Sequence, residues 1–152
     1  MSLVNLLHSQ STCPFPILRW QASFVLNHGR PFTPRKLPKN IKPGAPFECF
    51  GNCQRALAGS DLTYCEGFAI HLGSPVLQHH AWLCADDGYV IDPTWTGKPD
   101  TPGLGAEYFG VSFNKKFVLT RVLRSKEYSA ILDDEEFLKG GTSTDEFLST
   151  LR

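Results

Sequence analysis

The chain has 152 residues, 41% of them apolar and 20% charged, and its 15 basic and 15 acidic side chains give a formal net charge of zero. That suits one domain with its own core, and no apolar run approaches the roughly 20 residues that a membrane-spanning helix needs. The N-terminus lacks the basic start and apolar stretch of a secretory signal, and the five cysteines are too few and odd in number for a disulfide scaffold. They read as reduced thiols of a cytoplasmic protein. Charge is uneven: residues 1–47 hold six Lys or Arg and no acid, whereas the remainder holds nine Lys or Arg and all fifteen acids. The basic stretch suits an acidic partner or the chain's own acidic part. Its charges are too dispersed, with no aromatics run among them, to form a nucleic-acid surface.

In chain order, Leu3 to Leu7 predicts a short helix, and the apolar pieces at 17–20 and 24–26 predict strand fragments, with Pro14 and Pro16 breaking anything longer. Residues 28–46, rich in Pro, Gly and Lys, read as an extended crossing over the surface. With the preceding residues they make a basic arm, 1–46, ahead of a core at 47–124 and acidic C-terminal helices at 125–152. Cys13 reads as a packed thiol. Residues 47–58 predict a helix, with Pro46 and Glu48 at its start and Gly59-Ser60-Asp61 at its end. Cys49 falls in its first turn and Cys53 one turn on, on the same face. A thiol at a helix start meets the positive end of the dipole and unpaired N–H groups. These favour the thiolate and can serve an oxyanion. Cys53, deeper in the helix, reads as core.

Residues 62–70 predict a strand with Cys65 and Glu66 on opposite faces. Glu66 is a carboxylate in an apolar strand, and it either touches a site or forms a structural pair. Two further strands, 80–85 and 89–94, flank Asp86-Asp87-Gly88, a hairpin signal. Their apolar content places the hairpin centrally in a sheet. With a three-residue loop, Ala85 faces Tyr89 and Trp82 faces Asp92, which makes His80 and Asp92 diagonal neighbours on one face. A two-residue loop would send them to opposite faces. A histidine and a carboxylate so placed are the base and orienter of a catalytic triad, while His79 faces away from His80. Residues 107–113 predict a strand or turn with Tyr108 and Phe109 packing, and 115–124 predict another strand. A helix to Lys139, a Gly-Gly break and a short helix capped by Ser143 or Thr144 follow. The fold class is α+β: a helix on an antiparallel sheet of about five strands, with helices at the C-terminus.

A cysteine at a helix start, then His-Ala-Trp at 80–82 and Asp-Pro-Thr-Trp at 92–95, resembles the papain-like superfamily in its transglutaminase-like branch. The chain is also similar to small phage and bacterial proteins carrying C-F-x-N, EGxA, HAWL and VIDPTW, here beginning at Cys49, Glu66, His80 and Val90. The likeness spans residues 47–95. It implies Cys49 as nucleophile, His80 as base, Asp92 as orienter, and acyl transfer through a thioester. Asn52 or the Cys49 N–H would hold the oxyanion. Cys53, Cys65 and Glu66 remain alternative site residues. The implied substrate is a protein or small amide, with no cofactor. Two other readings stand beside it. One is a metal hydrolase drawing on His79, His80, Glu66, Asp92 and the cysteines, although no CxxC, HxxxH or HExxH spacing is present. The other is a non-catalytic module of the same fold, such as a phage-encoded inhibitor of a host protein.

Overall fold

Residues 3–28 form two helices rather than a helix and strand fragments. In the computed structural model, which describes residues 2–97, 104–140 and 146–149, α1 spans Leu3–Ser11 and α2 spans Pro16–His28. The Ser2 side chain caps α1 by accepting from the Asn5 N–H. Pro16 does not break α2 but opens it, because a fixed φ and a missing N–H cost nothing in a first turn. Leu3, Leu7, Ala22 and Val25 are buried in the main core, so the basic N-terminal stretch is built into the body of the fold.

The remaining elements are β1 (Arg30–Phe32), α3 (Cys49–Leu57), β2 (Thr63–His71), β3 (Gln78–Cys84), β4 (Val90–Ile91), β5 (Gly105–Phe113), α4 (Lys115–Ser125) and α5 (Glu135–Lys139), with a 3-10 turn at Ile131–Asp133. The five strands form one sheet in the order β1-β5-β2-β3-β4, and every pair is antiparallel. The chain is therefore α+β. No described helix is long and apolar enough to cross a membrane.

Leu83 faces Ile91 and Cys84 faces Val90. Continued one step, this register sets Ala85 opposite Tyr89 and leaves Asp86-Asp87-Gly88 as the loop. Gly88 has φ 76°, and its N–H reaches the Ala85 carbonyl at 3.2 Å, the left-handed position that favours glycine. The hairpin is not central, however. β3 is an interior strand, but β4 is a two-residue edge strand. Its apolar side chains are covered because residues 33–45 run along that edge. The Val90 N–H donates to Thr33 O at 3.0 Å, Arg35 Nε donates to Val90 O at 3.1 Å, and the Gly44 N–H donates to Pro93 O at 2.8 Å.

Residues 115–124, expected as a strand, are α4. The Asn114 side chain caps it by accepting from Lys116 and Phe117 N–H, and Lys126 ends it at φ 57°. The single helix expected to Lys139 is instead the 3-10 turn followed by α5, which Asp134 caps through the Phe137 N–H. The expected cap at Ser143 or Thr144 lies outside the described residues.

The sheet separates two apolar clusters. Tyr64, Phe68 and Ile70 of β2, Ala81 and Leu83 of β3, and Val111 and Phe113 of β5 pack with buried residues of α1 to α4. On the other face, Cys65, Ala69, Trp82, Cys84 and Tyr108 gather with Phe32, Val90 and Trp95. Gly67 and Gly110 face one another across β2 and β5 on this second side. A Cβ on Gly67 would stand 2.4 Å from Gly110 Cα, and one on Gly110 would stand 2.6 Å from the Trp82 ring. The empty side-chain positions therefore make room for the indole.

Candidate active site

His80 lies on β3, and Asp92 lies just past the end of β4. The register that sets Trp82 opposite Asp92 puts His80 diagonally across on the same face, as the three-residue loop requires. His80 Nε2 and Asp92 Oδ2 are 2.8 Å apart, and each residue is 2% exposed. Asp92 is held from all sides. Its Oδ1 accepts the Thr94 and Trp95 N–H groups at 2.9 and 3.0 Å, and its Oδ2 also accepts the Tyr108 hydroxyl at 2.7 Å. The Trp95 indole lies flat on the imidazole, with centroids 3.9 Å apart and planes 15° apart. The carboxylate and the indole together leave the ring one orientation.

Cys49 is near enough to the same ring to add to the rise in its pKa. Nε2 is taken by Asp92, so a proton exchanged with a thiol would pass through Nδ1. Cys49 is the first residue of α3. Glu48 precedes it without capping the helix through its side chain, so no cap side chain takes up the first-turn amides. Phe47, with φ 63° and 86% exposed, turns the chain into the helix.

Burial opposes charge on His80, but the Asp92 carboxylate and its hydrogen bond, with Cys49 alongside, prevail and raise its pKa from 6.5 to about 9. Burial likewise opposes charge on Asp92. The His80 cation and the bonds from His80, Trp95 and Tyr108 nevertheless hold its pKa below the usual 3.8. Burial and the Asp92 charge push the Tyr108 hydroxyl well up, which keeps it a donor. The pair is thus an imidazolium and a carboxylate at neutral pH.

Asn52 sits one turn below Cys49, but its amide is spent on structure. Nδ2 donates to Ala45 O at 2.8 Å and Thr94 Oγ1 at 2.9 Å, while Oδ1 accepts from the Ala45 N–H and from Arg55. Both amide hydrogens are committed, so Asn52 ties the crossing segment and the Asp92 loop to α3. Cys53 is fully buried in the core, where burial and the Asp92 charge raise its thiol pKa well above normal. Cys65 shares the His80 face but pairs with Cys84, the sulfurs 3.3 Å apart.

Glu66 points to the opposite face from His80. It accepts from Tyr64 Oη (2.8 Å), Ile131 N–H (2.9 Å), Leu132 N–H (2.8 Å) and His79 Nε2 (2.8 Å). His79 also lies 3.5 Å from Asp133. Burial opposes the His79 charge, but its bonds to Asp133 and Glu66 raise its pKa to about 9. Glu66 and His79 therefore dock residues 131–133 onto the sheet, with every Glu66 oxygen occupied. The sequence marks Tyr108 only as a packing residue. Its place on the His80 face follows from the pairing of Tyr108 with Ala69 and of Gly67 with His80, a register the sequence does not state. Among the described residues, no three His, Cys, Asp or Glu side chains are grouped to hold a metal ion.

Compared with protein-family models, with curated proteins and with solved structures, the chain finds no match.

Proposed function

We propose that the chain is a thiol-dependent acyl-transfer enzyme acting on amides, with Cys49 as nucleophile, His80 as acid and base, and Asp92 as orienter, an order similar to that of the transglutaminase-like branch. The observation that carries the reading is the buried His80–Asp92 pair, 2.8 Å apart, with Cys49 at the start of α3 near enough to add to the rise in the His80 pKa. In the proposed reaction the Cys49 thiolate attacks the amide carbonyl and forms a C–S bond. The first-turn N–H groups hold the resulting oxyanion. The His80 imidazolium gives its proton to the departing nitrogen as the C–N bond breaks, leaving a thioester. Water or an amine, deprotonated by His80, then attacks the thioester and frees the thiol. Asn52 serves this reading as a brace.

One observation favours a second reading, a binding module that keeps the His80–Asp92 pair as structure: Cys49 is only 8% exposed. The test is the pH dependence of iodoacetamide labelling, mapped by peptide on wild type and His80→Ala. Labelling of Cys49 well below pH 7 that is lost in the variant supports the triad. Reaction of every cysteine as an ordinary or buried thiol overturns it in favour of the binding module.

A further inference from the structure

Cys65 and Cys84 are two thiols that the proposed chemistry does not use. Cys65 faces Trp82 and Cys84 faces Thr63, so the two cysteines are diagonal neighbours on one face of the β2–β3 ladder. Their sulfurs approach to 3.3 Å, and Cys65 Sγ is also 3.6 Å from Ser112 Oγ. We propose that this pair is an oxidation site, at which a peroxide joins Cys65 to Cys84 in a disulfide that staples β2 to β3.

The two sulfurs are not equivalent. A hydrogen bond from Cys65 lowers the pKa of Cys84; burial and the Asp86 and Asp87 charges oppose this, while the Arg30 guanidinium assists it. Burial, followed by that same hydrogen bond, raises Cys65. Cys84 is accordingly the sulfur that reacts first and Cys65 the one that resolves. Both thiols are fully buried, and of the two Cys84 lies nearer the hairpin loop. It is the last residue of β3, next to the Asp86-Asp87-Gly88 loop, and Arg30 beside it is exposed.

The Cys84 thiolate attacks one oxygen of hydrogen peroxide. The O–O bond breaks, giving a sulfenic acid on Cys84 and hydroxide, which takes up the proton that the thiol released. Cys65 then attacks the Cys84 sulfur. The S–S bond forms, the S–O bond breaks, and the departing hydroxide leaves as a second water with the Cys65 proton. Two thiols lose two electrons and two protons, and the peroxide gains both. A disulfide needs the sulfurs at about 2.05 Å. The required approach of roughly 1.3 Å falls at the hairpin end of β3, beside a two-residue strand.

The test is stoichiometric hydrogen peroxide on the folded chain, followed by alkylation of remaining thiols and peptide mapping without reduction, on wild type and on Cys49→Ala. The expected product is about 2 Da lighter, with Cys65 and Cys84 in one cross-linked peptide that a thiol reductant separates. In Cys65→Ala the cross-link is lost, and a sulfenic acid on Cys84 is trapped by dimedone. Wild-type Cys65 and Cys84 that stay reduced, or that appear only as separate sulfinic acids, overturn the proposal without needing any variant to fold. A cross-link that joins either one to Cys13, Cys49 or Cys53 overturns it too.

Discussion

Replacing Asp92 by Asn changes one oxygen to an amide nitrogen and leaves the volume alone. The Asn oxygen can still accept the Thr94 and Trp95 N–H groups, but its NH2 then faces His80 Nε2 and the Tyr108 hydroxyl, both of which now donate to Oδ2. Two donors against two donors cannot stand. Tyr108 must rotate, and His80 must give up its Nε2 proton, so the imidazolium becomes a neutral ring that keeps only its Nδ1 proton. At about 1.4 kcal/mol per tenfold change in proton affinity, a shift from 6.5 to about 9 is worth roughly 3 kcal/mol of native-state stability.

The sign follows from the two pKa values. A raised histidine pKa stabilises fully below 6.5, and this is lost as pH rises to about 9. A depressed aspartate pKa stabilises above 3.8, and this is lost as pH falls. The gap between wild type and Asp92→Asn in urea unfolding is therefore widest from about pH 4 to 6.5 and closes toward pH 9. In its widest window it corresponds to a fall in Tm of about 6–12 °C for a chain of this size. Nitrogen NMR of the imidazole should show a neutral ring protonated only at Nδ1 where the wild type holds an imidazolium. Any amide turnover should drop by about 10³–10⁴ while the fold persists. A stability gap that stays flat from pH 5 to 10, or Cys49 alkylation with an unchanged pH profile in the variant, refutes the reasoning.

Glu66→Gln places an amide against hydrogen bonds from His79, Tyr64 and two backbone N–H groups. It should cost about 3–5 kcal/mol and speed hydrogen exchange at Ile131 and Leu132, whereas unchanged exchange there would rule out the docking role. Gly110→Ala drives a Cβ to 2.6 Å from Glu66 O and the Trp82 ring. A loss of more than about 3 kcal/mol is expected, and a stable variant with native near-ultraviolet dichroism would contradict it. Asn52→Ala should cost about 2–3 kcal/mol by leaving Ala45 O and Thr94 unpaired. The pH profile of Cys49 labelling should nevertheless survive in it. Loss of that profile in a folded variant would put Asn52 in the chemistry itself.

The hairpin was legible from Asp86-Asp87-Gly88, but its register was not settled by Gly88, which suits the left-handed position of a two-residue or a three-residue loop. The observed pairing is the three-residue one that keeps His80 and Asp92 on one face. The helix bearing Cys49 was legible, but it begins at Cys49 rather than at residue 47, with Phe47 left-handed and Glu48 at the cap without a side-chain bond. α4 was not, because Phe117, Leu119 and Arg121 alternate as a strand does and β-branched residues are frequent there. The Asn114 cap and the burial of Val118 decide for helix. α2 was not legible, because a proline that opens a helix reads locally like one that breaks it. The surroundings of Glu66 could not be read locally, since the Ile131 and Leu132 amides that satisfy it lie 65 and 66 residues further along the chain. Tyr108 needed a strand pairing that spans the whole core.

β5 comes last of the strands in the chain yet sits between β1 and β2. Until residue 113 has left the ribosome, β2 carries an open edge and β1 has no strand to join. Asp92 meanwhile lacks the Tyr108 hydroxyl. Closing the sheet and completing the carboxylate's shell are then one event, late in folding and dependent on pairings far apart in sequence. A nascent or truncated chain would carry Cys49 without a fully oriented His80, so the reactivity of that thiol would report a finished fold.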